Sequence, residues 1–94
     1  MAKGQKAEVS VTAENQFSGY VAPEADEDGV VTIIGTGSMT ITLQVLPEGE
    51  TTPIDVDSVT AAGRYTFAAT REKHRIGVKT GDFTSGTMRI LLHA

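Results

Sequence analysis

Cysteine and tryptophan are both absent from this sequence of 94 residues. Without cysteine, the chain can form neither a disulfide bond nor a thiolate metal site. Aromatic side chains are scarce, three Phe and two Tyr, so aliphatic residues must supply most of any core. No apolar run approaches the roughly 20 residues that a membrane-spanning helix needs, and no apolar segment follows the lysines near the start, as a secretory signal would require. These absences predict a protein that is made in the cytoplasm and has no membrane partner.

Basic residues are missing from more than half of the chain. Residues 7–63 contain ten acidic side chains and no Lys or Arg, whereas residues 64–94 contain six basic side chains and two acidic ones. Two explanations are open: the opposite charges pair across neighbouring strands of one chain, or they form separate patches through which subunits associate. The net charge of −4 and the lack of aromatic residues among the basic ones argue against nucleic acid as a partner.

Alternation of apolar and polar residues predicts the secondary structure. In SMTITLQVLP, the apolar residues Met39, Ile41, Leu43 and Val45 alternate with polar ones, and the side chains of a strand point to opposite faces in turn. This segment is therefore predicted to be a strand with one buried face and one face in solvent. A similar rhythm recurs at residues 9–11, 54–56, 65–67, 76–78 and 88–92.

Residues typical of turns separate these runs. The predicted turns are DEDG at 26–29, GTG at 35–37, PEGE at 47–50, AAG at 61–63 and TGDFTSG at 80–86. The best helix candidate, AATREKHR at 68–75, is short and has no apolar stripe at helical spacing, so we expect a charged hairpin connection there. About seven or eight short strands with such regular turns predict an all-β fold, an antiparallel β-sandwich or jelly roll.

The length of the chain predicts a single domain. Residues 17–94 are expected to form one β-sandwich domain. Residues 1–16 are expected to form a partly flexible N-terminal arm, because the first six residues carry no packing signal.

Residues with catalytic or metal-binding chemistry are present but poorly arranged. His74, Asp82 and Ser85 supply the residue types of a nucleophilic triad, yet Ser and Asp are also common turn residues. His74 and His93 have no metal-ligand spacing, and no acidic run matches a calcium-binding loop. The GTG at 35–37 precedes a strand, so it offers no helix N-terminus to a phosphate. The sequence therefore predicts a protein that is not an enzyme and that binds no metal or cofactor.

Two segments, GTGSMTITLQVLPEGETTPIDVDSVTAAGRYTF and HRIGVKTGDFTSGTMRILL, carry an ordered set of motifs. A glycine-rich start leads to a strand ending in TLQ, a hairpin turn, a strand with a D-V element, a G-x-Y strand, an R-x-G-V strand and a closing F-T-S-G-T hairpin. In this order of motifs, residues 29–92 resemble small virion proteins of tailed bacteriophages. The resemblance implies a β-sandwich virion component without enzymatic activity, either a capsid decoration (cement) protein or a module of a tail or fibre.

From the resemblance and the charge layout, we expect a capsid decoration protein that stabilises contacts between capsid subunits, is made in the host cytoplasm and resides in the virion. The expected partners are the major capsid protein or another virion protein, and further copies of the chain in a dimer or trimer. The alternatives are a tail or fibre adaptor and a glycan-binding sandwich, although the absence of Trp leaves few platforms for sugars. Phe83 either packs beneath its turn or protrudes as a contact. The candidate assembly surface comprises Lys3, Lys6, Arg75, Lys79, Phe83 and Arg89.

Overall fold

The computed structural model describes residues 5–22 and 27–93, and every regular element in these two ranges is a β-strand. The predicted all-β class is confirmed, and so is the predicted number of strands. No helix in the described ranges is long and apolar enough to cross a membrane. The strands are β1 (Lys6–Val11), β2 (Gln16–Phe17), β3 (Glu27–Met39), β4 (Ile41–Leu46), β5 (Ile54–Val59), β6 (Gly63–Ala69), β7 (Lys73–Val78) and β8 (Phe83–His93).

The strands form two antiparallel sheets that face each other as a β-sandwich measuring 37 × 25 × 17 Å. Sheet A has the strand order β1-β8-β3-β6, and sheet B has the order β2-β7-β4-β5. Only β4 and β5 are neighbours both in sequence and in a sheet, so every other connection passes from one sheet to the other. This topology makes β5 and β6 edge strands on the same side of the sandwich.

The core between the sheets follows from the alternation of the strands. Each strand that contributes to it turns every second side chain inward, and these residues are aliphatic because few aromatics are available. The aromatic residues Tyr65, Phe67 and Phe83 pack at its margin. The buried apolar residues in contact are Val11, Val21, Val31, Ile33, Met39, Ile41, Leu43, Ala69, Ile76, Val78, Met88, Ile90 and Leu92.

The strand predicted across residues 38–46 is divided between the two sheets. β3 ends at Met39 in sheet A and β4 begins at Ile41 in sheet B, while the Thr40 amide donates to the Asp82 carbonyl at 2.9 Å. Met39 and Ile41 are both buried, because the two sheets face the same core from opposite sides. The alternation therefore predicted the burial of the apolar residues correctly but could not reveal the change of sheet.

Three predicted turns are present and two are not. The chain turns at 47–50 and at 60–62, and the third turn is shorter than predicted because β8 begins at Phe83. The GTG segment is part of β3 instead. Gly37 faces Gly86, and a Cβ atom on Gly86 would lie only 2.3 Å from the Gly37 Cα. These glycines permit the backbones of β3 and β8 to approach closely, which is a different use of glycine from a turn.

The remaining predicted turn, DEDG, falls on β3 as well, which begins at Glu27, while residue 26 lies outside the described residues. The suggested helix at 68–75 is absent, as expected. The expected hairpin is wrong, because β6 ends at Ala69 in sheet A and β7 begins at Lys73 in sheet B, so residues 70–72 connect the two sheets. The predicted arm needs a larger correction. Residues 6–11 pair with β8 along their whole length, and Val11 is completely buried. The segment 1–16 therefore supplies an edge strand to the sandwich, and the sandwich does not begin at residue 17.

Candidate functional site

The outer face of sheet B holds two of the predicted contact residues. In β7, the side chains of His74, Ile76 and Val78 are buried in the core, so the alternation turns Arg75 outward. Lys79 follows directly after the strand and is half-exposed. On this face, basic side chains from the C-terminal third of the chain therefore lie against β4 and β5, which belong to the acidic segment 7–63.

The guanidinium group of Arg75 stacks on two aromatic rings. Its Cζ atom lies 4.2 Å from the centroid of the Phe17 ring and 5.4 Å from that of Tyr20, within the range of cation–π attraction. Gly77 makes the arrangement possible, because a Cβ atom there would lie 2.6 Å from the Phe17 Cα and 2.2 Å from the Gln16 carbonyl oxygen. The short strand β2 can therefore lie close against β7 only while residue 77 is glycine.

A chain of hydrogen bonds crosses sheet B from the same arginine. Arg75 Nε donates to Gln44 Oε1 at 2.9 Å, and Gln44 Nε2 donates to Asp55 Oδ1 at 2.9 Å. The other carboxylate oxygen of Asp55 accepts a bond of 2.6 Å from Lys79 Nζ. The strand register explains the geometry, since Gln44 is opposite Arg75 on one side and opposite Asp55 on the other. We call these residues, with the two aromatic rings, the sheet B network: Phe17, Tyr20, Gln44, Asp55, Arg75 and Lys79.

The network buries a side chain that alternation places in solvent. Gln44 is only 6% exposed, and Thr42, on the same face of β4, is 3% exposed. The outer face of β4, which was predicted to be exposed to solvent, is therefore buried. The hydrogen bonds of Gln44 at both ends of its amide satisfy the requirement that buried polar atoms keep partners.

Asp55 and Lys79 stabilise each other's charged form. The hydrogen bond from Lys79, and after it the bond from Gln44, lowers the pKa of the Asp55 carboxyl. The same contact with Asp55 raises the pKa of Lys79. Asp55 thus forms its ion pair with Lys79, whereas Arg75 is bound to the neutral amide of Gln44.

The other predicted contact residues lie elsewhere, so the structure does not bring the six together. Arg89, on sheet A, donates from Nε to Glu8 Oε2 at 2.6 Å, and Lys6 is exposed on the edge strand β1. Phe83 is half-buried against the core, which confirms the packed alternative. Lys3 lies outside the described residues. The ion pairs of Lys79 and Arg89 confirm that opposite charges pair within one chain.

His74, Asp82 and Ser85 do not form a triad. The His74 ring lies in the core, 1% exposed and 5.6 Å from the Phe67 ring, and its Nδ1 donates to the Glu72 carbonyl at 2.8 Å. Burial lowers the pKa of His74. Asp82 lies in the turn after β7, and Ser85 is exposed on β8.

Small cavities and acidic groups offer no clear ligand site either. Between the edges of β5 and β6 an apolar cavity has a volume of about 20 Å³, which is the space of a single water position. Within residues 5–22 and 27–93, no three His, Asp or Glu side chains are grouped so as to hold a metal ion. The sheet B network is therefore the most developed polar arrangement on the described surface.

Four members of the network were not predicted from the sequence: Phe17, Tyr20, Gln44 and Asp55. The available signals were the polar Gln44 within a regular alternation and the Gly77 next to an outward arginine, but neither reveals which strands are neighbours. Comparison of the chain with protein families, with curated proteins and with solved structures gives no match.

Proposed function

We propose that this chain is a non-enzymatic assembly protein that binds other protein subunits through the sheet B network, as a capsid decoration protein would. The observation that carries the proposal is the cluster of Phe17, Tyr20 and Arg75 on an exposed sheet face. Tyrosine and arginine are the residue types that dominate binding energy in protein interfaces. A rigid cluster of this kind suits contact with another protein surface.

Exposed apolar side chains lie on the edge strand β5 and next to Arg75. Ile54 and Val56 on the edge strand β5 are 52% and 49% exposed, and Tyr20 is 40% exposed. Val56 is the extra residue of a bulge, because Leu43 and Gln44 are opposite Asp57 and Asp55. A bulge twists an edge strand away from further strand pairing. Contact through side chains therefore suits this edge better than addition of a partner strand.

The virion assignment is supported by the resemblance of residues 29–92 to small virion proteins of tailed phages. A tail or fibre adaptor would use the same surface and would differ only in its neighbours. A glycan-binding role has less support from the geometry. One ring face of Tyr20 is near the Arg75 guanidinium, and the Tyr65 hydroxyl donates to the Ala61 carbonyl at 2.8 Å, so neither tyrosine is an open stacking platform.

Co-sedimentation with undecorated phage capsid shells tests the proposal. We expect the native chain to pellet with shells at about micromolar concentration, and the double variant Arg75→Glu with Lys79→Glu to remain in the supernatant. The matched control is Arg64→Glu with Arg71→Glu, which reverses two exposed charges outside the sheet B network. Thermal unfolding of each variant checks that the fold is retained.

Three outcomes would contradict the proposal. Absence of the native chain from the pellet would remove the capsid role, and binding to isolated tails instead would assign the chain to that structure. Equal losses in the two double variants would mean that net charge, rather than the network, governs binding. Glycan-array signals that disappear in Tyr20→Ala would favour the glycan-binding alternative.

A further inference from the structure

The position of the Arg75 guanidinium is determined before any partner arrives. It lies against the Phe17 and Tyr20 rings, and its Nε is bonded to Gln44 Oε1. Gln44 cannot turn its amide freely, because its Nε2 is bound to Asp55. A free arginine side chain loses rotamer entropy when it is immobilised. Here much of that cost is already met by the fold, which favours tight binding of a ligand.

The positive charge of Arg75 is not neutralised by the carboxylate closest to it in the network. Asp55 uses one oxygen for Gln44 and the other for Lys79, at 2.6 Å. Arg89 on sheet A provides the contrast, because its Nε bonds directly to Glu8. Among the described residues, Arg75 makes its single side-chain hydrogen bond through Nε. Its two Nη groups therefore have no acceptor within that part of the chain.

A planar guanidinium whose two Nη groups have no acceptor among the described residues matches the two oxygens of a carboxylate. Such pairs form two parallel hydrogen bonds and are stronger than bonds between neutral groups. The surroundings favour an anion, since the outer side of β7 carries Lys73 and Arg75 without an acidic residue, and Lys79 at its end holds the Asp55 carboxylate away from Arg75. We propose that Arg75 is the receptor for an Asp or Glu side chain of an acidic segment in the protein that this chain binds. This proposal rests on the proposed function, because it specifies the chemistry of the partner.

An acidic protein segment fits the site better than an acidic sugar. The network lies on an open sheet face with the exposed Val56 beside Asp55 and Lys79, and an extended peptide can cover such a face with both charged and apolar side chains. Sugar acids are usually enclosed by a pocket with several polar groups. A second copy of the chain also carries acidic residues, so self-association is tested as a separate outcome.

Binding of extended peptides tests the receptor directly. The first peptide alternates Glu with Ser, and the second replaces every Glu with Gln. We expect the Glu peptide alone to bind, and Arg75→Lys to weaken its binding at least about tenfold, because lysine keeps the charge but lacks the two-pronged geometry. The matched control is Arg64→Lys on sheet A, which should bind as tightly as the native chain. Nitrogen-15 NMR of the native chain should show the Arg75 Nη signals shifting on addition of the Glu peptide.

A second variant separates loss of binding from loss of the fold. Tyr20→Leu removes one stacking ring at a 40% exposed position and leaves Gln44 in place, so we expect a smaller loss of affinity than in Arg75→Lys with an unchanged thermal midpoint. Equal affinity of native chain and Arg75→Lys, or equal binding of the two peptides, would overturn the proposal. No binding of the Glu peptide would overturn it as well.

Two further probes identify a different source of the carboxylate. Arg75-dependent binding of a sialylated trisaccharide, without binding of the Glu peptide, would overturn the protein assignment in favour of a glycan. Arg75-dependent self-association in sedimentation equilibrium, again without peptide binding, would do so in favour of a second copy. Failure of this inference differs from failure of the proposed function. Shell binding that survives Arg75→Lys contradicts only the receptor, whereas peptide binding without shell binding contradicts only the assembly role.

Discussion

The two sheets of the sandwich bury different types of side chain. In the described part of sheet A, every buried side chain is apolar, as simple alternation requires. Sheet B and the segment that follows β2 contain all the buried polar residues of the described chain. Such groups are stable only when their hydrogen-bond partners are in place. The packing of sheet A therefore depends mainly on the volume and the alternation of its apolar side chains, while that of sheet B also depends on specific hydrogen bonds. The buried polar residues are Ser18, Thr42, Gln44 and His74.

Two arginines show the same difference on the outer faces. Arg89 of sheet A and Arg75 of sheet B both donate from Nε, but the first bonds to the carboxylate of Glu8 and the second to the amide of Gln44. The Arg89 side chain is 53% exposed and has no aromatic ring against it among the described residues. Its charge is balanced within the chain, whereas the charge of Arg75 is held in position and remains available. An ordered charge of this kind is expected at a binding surface rather than in a structural pair.

The largest expected effect comes from filling the space beside Phe17 in sheet B. In Gly77→Ala the new Cβ atom would lie 2.2 Å from the Gln16 carbonyl oxygen, so β2 must move away from β7. We expect a loss of about 1–3 kcal/mol in the free energy of unfolding, as for other overpacked sites. Urea unfolding measures this loss, and fluorescence of the two tyrosines reports displacement of the stack.

Gly19→Ala is the matched control for Gly77→Ala, because a Cβ atom on Gly19 would meet nothing within 4 Å. This variant should be as stable as the native chain, or slightly more so. Equal stability of the two variants would contradict the close packing of β2 against β7, and with it the rigid position of Arg75.

The sequence predicts sheet A more fully than it predicts the sheet B network. Periodicity at Val9, Val11, Met88, Ile90 and Leu92 identifies strands and their buried faces, because alternation is a local property. The position of β1 as an edge strand is not local, since its pairing with β8 joins residues at opposite ends of the chain. That pairing is why the N-terminal segment, predicted to be an arm, belongs to the sheet.

The candidate site was predicted only in part for a related reason. Arg75 and Lys79 are identified from charge alone, but their partners come from the strands β2, β4 and β5 and from the segment after β2. Gln44 is polar at a position that alternation places in solvent, so its burial depends on neighbours that only the topology supplies. Likewise, the glycines of GTG indicated a turn because nothing in the local sequence reveals that Gly37 faces Gly86.

The buried His74 on the core side of sheet B should make the stability of the chain depend on pH, and the core side of sheet A has no such residue among the described ones. Burial lowers the pKa of His74 below its ordinary value of 6.5, so the folded chain keeps this ring neutral while the unfolded chain takes up a proton. The stabilisation is complete above pH 6.5 and decreases as the pH falls from that value through the pKa of the folded state. We expect the thermal midpoint to fall on acidification from about pH 7.5 to 5.5.

Two histidine variants test this assignment. His74→Leu should lose most of the pH-dependent step, although it is less stable at neutral pH because the Glu72 carbonyl loses its hydrogen bond. His93→Leu, which changes the histidine of sheet A, should retain the step. A step that persists in His74→Leu would place the responsible proton elsewhere. The carboxyl groups of Asp55 and Glu8 do not interfere, because their pKa values are lowered from values already below this range.

The smallest expected effects are the losses of stability on removing one ion pair from the outer face of each sheet. Asp55→Ala removes the acceptor of Lys79 and also that of the buried Gln44 amide, so we expect a loss of about 1–2 kcal/mol in the free energy of unfolding. Glu8→Ala removes only the partner of an exposed arginine and should change stability less. Raising the salt concentration to about 0.5 M should abolish the effect of Glu8→Ala, because exposed charges are screened.

The effect of Asp55→Ala should persist in salt, since the amide of Gln44 still lacks an acceptor. Equal sensitivity of both variants to salt would mean that the sheet B network is an ordinary surface ion pair, and Arg75 would then have no rigid support.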